Sequence, residues 1–156
     1  MAEQCFHTFL HPGDVVCAHR GDRIETLLGS CVAIILTDPH RTVGAMCHIV
    51  HAHSANAKAR LTTSHASTAL ATMYQLLKTE GFAPQLCKAY VYGGGNMFPT
   101  LSHRRPVGDA NVSWVLDALQ RDRVDLIHHD VGGDAYRRLA WTVGTVAPQV
   151  KAVKVA

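Results

Sequence analysis

This sequence has little charge and nowhere concentrates it. Only 17% of its 156 residues are Asp, Glu, Lys or Arg, the net charge is +3 with neutral histidines, and no cluster of five or more Lys and Arg occurs. That balance is far from the basic footprint of a nucleic-acid-binding domain. No apolar run approaches the length that crosses a bilayer as a helix. The N-terminus lacks a charged start followed by an apolar stretch and a small-residue cleavage site, so no signal peptide is expected. No Cys-x-x-Cys pair occurs among Cys5, Cys17, Cys31, Cys47 and Cys87. Their odd number and even scatter, without an export signal, predict reduced thiols in a cytoplasm rather than a disulfide framework.

What is present suffices for a core. Hydrophobic residues make up 47% of the chain, and its length fits one domain. Residues 1–13 read as an N-terminal arm ending at the Pro12-Gly13 turn, and residues 14–156 as the folded domain. Strands are predicted at 14–18, 24–28 and 31–37, with 43–50 as the hairpin partner of the last. Residues 51–64 are polar and unpatterned, which predicts an exposed loop. Ala66, Ala69, Leu70, Met73, Leu76 and Leu77 recur at helical steps, giving a helix over 64–80 that Gly81 stops. A strand at 88–92 feeds Gly93-Gly94-Gly95-Asn96. That run lacks the Lys-Ser/Thr of a phosphate loop and instead predicts a turn where backbones approach closely. A second helix covers 109–121, with Val112, Val115, Leu116 and Leu119 on one face. A strand follows at 124–128, and a hairpin of 136–143 with 145–153 turns at Gly144. The fold class is α+β: one compact domain of mixed or antiparallel β-layers with two main helices.

The chemistry-bearing stretch is Gly29-Ser30-Cys31, where a small-residue turn becomes an apolar strand. A thiol is a useful nucleophile only as thiolate, and His48 on the neighbouring strand is placed to accept its proton. Gly29 and Ser30 leave the sulfur reachable and main-chain N–H groups available to an oxyanion. A third group should orient the imidazole, and Thr26 and Glu25 both lie close enough in sequence. An unusually low thiol pKa would separate a reactive Cys31 from an inert buried one. The plainer reading makes Cys31 a buried strand cysteine and His48 a satisfied core histidine. Cys47 and Cys87 read as core residues. His48, His51 and His53 beside Cys47, and His128-His129 beside Asp130, raise a metal site, but no pattern matches a recognised zinc spacing. No metal and no cofactor is expected.

Five ordered blocks carry a family resemblance. Leu28-Gly29-Ser30-Cys31-Val32-Ala33, Gly44-Ala45-Met46-x-His48, Gly93-Gly94-Gly95-Asn96-Met97-Phe98, Val107-Gly108-x-x-Asn111-Val112 and Asp130-x-Gly132-Gly133-x-x-x-Arg137-Arg138 resemble the CheD family of chemoreceptor glutamine deamidases. The resemblance implies a fold related to cysteine hydrolases, with Cys31 as nucleophile, His48 as general base and acid, and a threonine third member for which Thr26 is the candidate. A one-residue shift of the alignment would put Glu25 there. It further implies that the substrates are glutamines on cytoplasmic helices of methyl-accepting chemotaxis proteins, with methylesterase activity as a second reaction and a CheC-type phosphatase as regulator. A binding module that docks on receptors or on that phosphatase without turnover is the alternative. Two departures stand near the expected site rim: Ile49-Val50-His51-Ala52 where the family has an apolar pair and proline after its histidine, and His65 and Ser67 where it has Tyr and Asp.

Overall fold

The computed structural model describes residues 4–54, 56–100 and 106–155. Among them the chain runs β1 (His7–Leu10), β2 (Val15–His19), β3 (Arg23–Leu28), β4 (Val32–Thr37), β5 (Val43–Ile49), α1 (Ala57–Arg60) and α2 (Ala66–Thr79). It continues through a 3-10 turn (Pro84–Leu86), β6 (Lys88–Gly93), α3 (Val107–Arg121), β7 (Asp125–Val131), β8 (Ala135–Thr142) and β9 (Gln149–Lys154).

Two sheets form, in the orders β1-β3-β8-β9 and β2-β5-β4-β6-β7. Every residue of β4 and β5 is buried, because both faces of the five-stranded sheet are covered. Alternate residues of a strand point to opposite faces. Ala33, Ile35 and Met46 therefore meet Ile24, Leu28, Leu139 and Trp141 of the four-stranded sheet. Ile34, Leu36, Cys47 and Ile49 pack instead against Leu70, Met73 and Leu77 of α2 and Val115 and Leu119 of α3. The result is three layers: sheet, sheet and helices. Each fully buried Ile or Leu contributes about 1.5–3 kcal/mol, so the unbroken apolar run of β4 makes it the axis of the domain. The sheets approach so closely that a Cβ on Gly44 would overlap the Trp141 ring.

The predicted strands and both long helices form, and the fold is α+β with mixed sheets. The predicted 31–37/43–50 hairpin is β4 and β5, antiparallel, and the C-terminal hairpin is β8 and β9. Two elements depart from expectation. Within the segment read as an arm, His7–Leu10 pairs parallel with β3. Asp22 anchors that approach, its carboxylate accepting from the Phe6 and His19 N–H groups. Only Leu10 of this strand is fully buried, so four residues carried no readable alternation. Within the expected loop, Asn56 caps the short α1, its side chain accepting from Lys58 and Ala59 N–H groups.

Candidate active site

The site forms where the chain passes from one sheet to the other. β3 turns Ile24, Thr26 and Leu28 inward. The chain then bends through Gly29-Ser30-Cys31 and enters β4 of the five-stranded sheet. β5 runs antiparallel beside β4 with Ala33 opposite His48, which sets the imidazole two residues along from the thiol. Gly29, Ser30, Cys31 and His48 line one cavity of about 620 Å3, together with Pro12, Leu27, Met97, Tyr136 and Arg138.

Thr26 and His48 meet across the two sheets. Thr26 Oγ1 lies 2.8 Å from His48 Nδ1 and donates its proton to the Leu10 carbonyl, also at 2.8 Å. A hydroxyl has one hydrogen, and a carbonyl only accepts. Thr26 Oγ1 therefore accepts from an Nδ1–H, and the neutral imidazole keeps its lone pair on Nε2. Glu25 stands on the opposite face of β3, bonded to His7 and Arg23. Of the two sequence candidates for the orienting group, Thr26 reaches the histidine and Glu25 does not.

All three carbonyls of the thiol-bearing turn are tied down. Gly95 N–H donates to Gly29 O at 2.9 Å and Gly94 N–H to Cys31 O at 2.8 Å. Asn111 Nδ2 donates to Ser30 O at 3.1 Å. The triglycine run is thus the close backbone approach that its composition predicted: Gly93 has φ +109°, and a Cβ there would overlap the Cys31 carbonyl oxygen. The buried Arg137 holds that run from behind, donating to Gly93 O and Gly132 O and pairing with Asp130.

Asn111 joins the thiol side of the site to the histidine side. Its Nδ2 also donates to Val50 O at 3.0 Å, and its Oδ1 accepts from Ala52 N–H at 2.8 Å. One buried amide therefore links the turn before β4 to the segment after β5. In the sequence Asn111 stands inside a motif block that by itself assigns it no role. The available signal was an amide on α3 within reach of its apolar face.

Burial sets the protonation states. Desolvation pushes the Cys31 thiol above its ordinary value, opposite to the low pKa that would have marked a resting thiolate. His48 is lowered, chiefly by desolvation and further by His11, against opposing effects of Asp14 and the Leu10 backbone. The resting pair is a thiol and a neutral imidazole. Cys47 and Cys87 are buried, and desolvation raises them to about 12 and about 11.

The remaining histidines go elsewhere. His51 and His65 pack edge to face at 5.7 Å, and His65 Nδ1 is 2.9 Å from Ser67 Oγ. His65 lines a separate hollow with His53 and Arg60, so the departures at 51, 65 and 67 lie outside the lining of the Cys31 cavity. Among the described residues, no three His, Cys, Asp or Glu gather where a metal ion could be held. Among them, too, no helix is long and apolar enough to cross a membrane.

A solved structure of Bacillus licheniformis hypothetical protein YfiH covers 75% of this chain and 50% of its own at 12% identity, with a TM-score of 0.46. A Pseudomonas syringae pv. syringae protein named "Probable chemoreceptor glutamine deamidase CheD" is 34% identical over 133 residues, covering 83% of this chain and 75% of that protein. A Methanococcus maripaludis protein of the same name is 33% identical over 127 residues, covering 81% and 82%. The family model described as CheD chemotactic sensory transduction matches residues 50–152. The chain belongs to the CheD family.

Proposed function

We propose that this protein is a cysteine-dependent deamidase that converts glutamine side chains of chemoreceptors to glutamate. The observation that carries the catalytic part is the hydrogen-bonded series from Leu10 O through Thr26 Oγ1 to His48 Nδ1, which leaves Nε2 basic in the cavity that Cys31 lines. The receptor substrate is supported by the names of the relatives.

Cys31 and His48 are neutral at rest, so the proton moves as the bond forms. Cys31 Sγ attacks the side-chain carbonyl carbon of glutamine while His48 Nε2 takes the thiol proton. Main-chain N–H groups of the 29–31 turn, whose carbonyls are already engaged, stabilise the tetrahedral oxyanion. His48 Nε2–H then protonates the departing nitrogen, the C–N bond breaks, and ammonia leaves a thioester on Cys31. Water, giving its proton to His48 Nε2, attacks that thioester. Collapse returns the proton to sulfur and releases glutamate. A glutamate methyl ester enters the same cycle with methanol as leaving group. A CheC-type phosphatase is the regulator we propose alongside the receptor.

Mass spectrometry of a receptor cytoplasmic fragment tests this reading. Incubation with the wild type converts specific glutamines to glutamate, and incubation with Cys31→Ala does not. A folded wild type with a reactive Cys31 that converts none of the organism's receptors would favour a docking module without turnover.

A further inference from the structure

The four-stranded sheet has a second face, turned away from the core, that the mechanism does not use. Strand register arranges its outward side chains in rows. Phe9, Glu25, Ala140 and Gln149 form one row, and Leu27, Arg138 and Lys151 the next. Tyr136 begins a third row on β8. The first two rows hold a groove of about 470 Å3, and Tyr136 of the third lines the adjoining Cys31 cavity. The groove floor is apolar, with Phe9 51% and Leu27 50% exposed. Leu27 and Arg138 line both this groove and the Cys31 cavity, and Tyr136 lines the cavity as well. The groove therefore runs into the candidate active site.

Charge and backbone pairing narrow the occupant. Glu25 is balanced by His7 and Arg23. Arg138 and Lys151 are exposed and have no ion-pair partner among the described residues, so the groove's unspent charge is positive. β3 and β8 are each paired on both sides, so an extended peptide gains no ladder hydrogen bonds from them. The centre of the face, on β3 and β8, thus has no free backbone groups and suits side-chain recognition of an amphipathic helix. Three rows spaced two residues apart span about 13 Å, the length of about two and a half helical turns.

We propose that this outer sheet face docks the substrate. An amphipathic receptor helix lays its apolar stripe over Phe9, Leu27 and Ala140, and carboxylates beside that stripe pair with Arg138 and Lys151. The target glutamine then reaches Cys31 through the shared wall of Leu27 and Arg138. The proposal rests on the deamidase reading and names the surface that selects the glutamine.

Phe9→Ser and Lys151→Glu test it, because neither residue lines the Cys31 cavity. Deamidation of a receptor cytoplasmic fragment is followed by mass spectrometry for kcat and KM, with Leu86→Ser as an exposed control remote from the groove. Iodoacetamide labelling of Cys31 reports whether each variant keeps an intact site. Each groove variant is expected to raise KM by about tenfold, as loss of an interface anchor does, with Cys31 labelling as in the wild type. The KM of Lys151→Glu should also depend less on salt than that of the wild type. An unchanged KM in both groove variants, with an active wild type, overturns the docking proposal and leaves the deamidase reading standing. An equal KM rise in Leu86→Ser, or altered Cys31 labelling in the groove variants, also overturns it. So does a dimer in solution that either groove variant dissolves, since a second copy would then occupy the face. A wild type that deamidates no receptor overturns the deamidase reading itself.

Discussion

Thr26 Oγ1 sits 2.8 Å from His48 Nδ1, and because its own proton goes to Leu10 O, it fixes which nitrogen of the histidine is basic. The bond crosses from one sheet to the other, so the packing of the two sheets holds the tautomer. Thr26→Val keeps the shape and removes the acceptor, leaving a buried Nδ1–H without a partner. A lost buried hydrogen bond of ~1–3 kcal/mol corresponds to roughly a five- to 150-fold fall in kcat/KM. Thr26→Ser should retain most of the activity. Initial rates on a receptor fragment check both.

The pH profile follows from burial. His48 must be neutral to accept the Cys31 proton, and desolvation lowers its pKa below the ordinary value of 6.5. Activity should therefore persist as pH falls through 6.5 and decline only below it. Burial raises Cys31, so alkylation of the free enzyme should climb with pH toward and beyond 9 rather than being complete near neutrality. A kcat/KM profile whose acid limb lies above 6.5 would contradict the assignment of His48 as a buried neutral base.

Asn111→Ala removes three hydrogen bonds, to Ser30 O, Val50 O and Ala52 N–H, in the interior. Leaving such groups unpaired costs roughly 3 kcal/mol in sum, which lowers the melting temperature of a domain this size by about 6–12 °C. The turn bearing Cys31 loses its tie to the strand bearing His48, so kcat should fall even at temperatures where the variant is fully folded. Thermal denaturation alongside rates at low temperature separates the two effects. A variant that melts early but turns over normally would make Asn111 a purely structural residue.

Acid should weaken the fold through the same burial. His48 and His65 are both lowered in the folded state, each chiefly by desolvation. The unfolded chain then binds protons first as pH falls below 6.5. Stability from these groups is complete above that pH and lost as pH drops through their folded values. Urea midpoints at pH 7.5 and 5.5 should differ, and His65→Gln should reduce the difference.

Much of this was legible in the sequence because it is local. Cys31 stands immediately before β4 and His48 on β5, in small-residue and apolar contexts, and a short hairpin brings these segments together. The orienting residue was harder, because the segment Arg23-Ile24-Glu25-Thr26-Leu27-Leu28 ends in two leucines and shows no clean alternation. A slip of one residue exchanges the two faces of a strand, so Thr26 and Glu25 stayed open. The pairing of β3 with β8 puts Thr26 on the inward face and Glu25 on the outward one: Leu139 and Trp141 cover the first, while Arg138 and Ala140 continue the second. That contact joins residues more than a hundred positions apart, and periodicity carries no record of it. β1 was invisible for the same reason, its register coming from its partner. Asn111 acts through a side chain reaching two distant backbones, which no spacing rule describes.

The most direct test of the account is to trap the covalent intermediate. A receptor fragment is mixed with enzyme, quenched in acid within the first turnover, and the digest mapped by mass spectrometry. The account predicts a thioester on Cys31 carrying the substrate peptide less ammonia, absent in Cys31→Ala along with deamidation itself. Undiminished deamidation by a folded Cys31→Ala, with no adduct on Cys31 in the wild type, would contradict it.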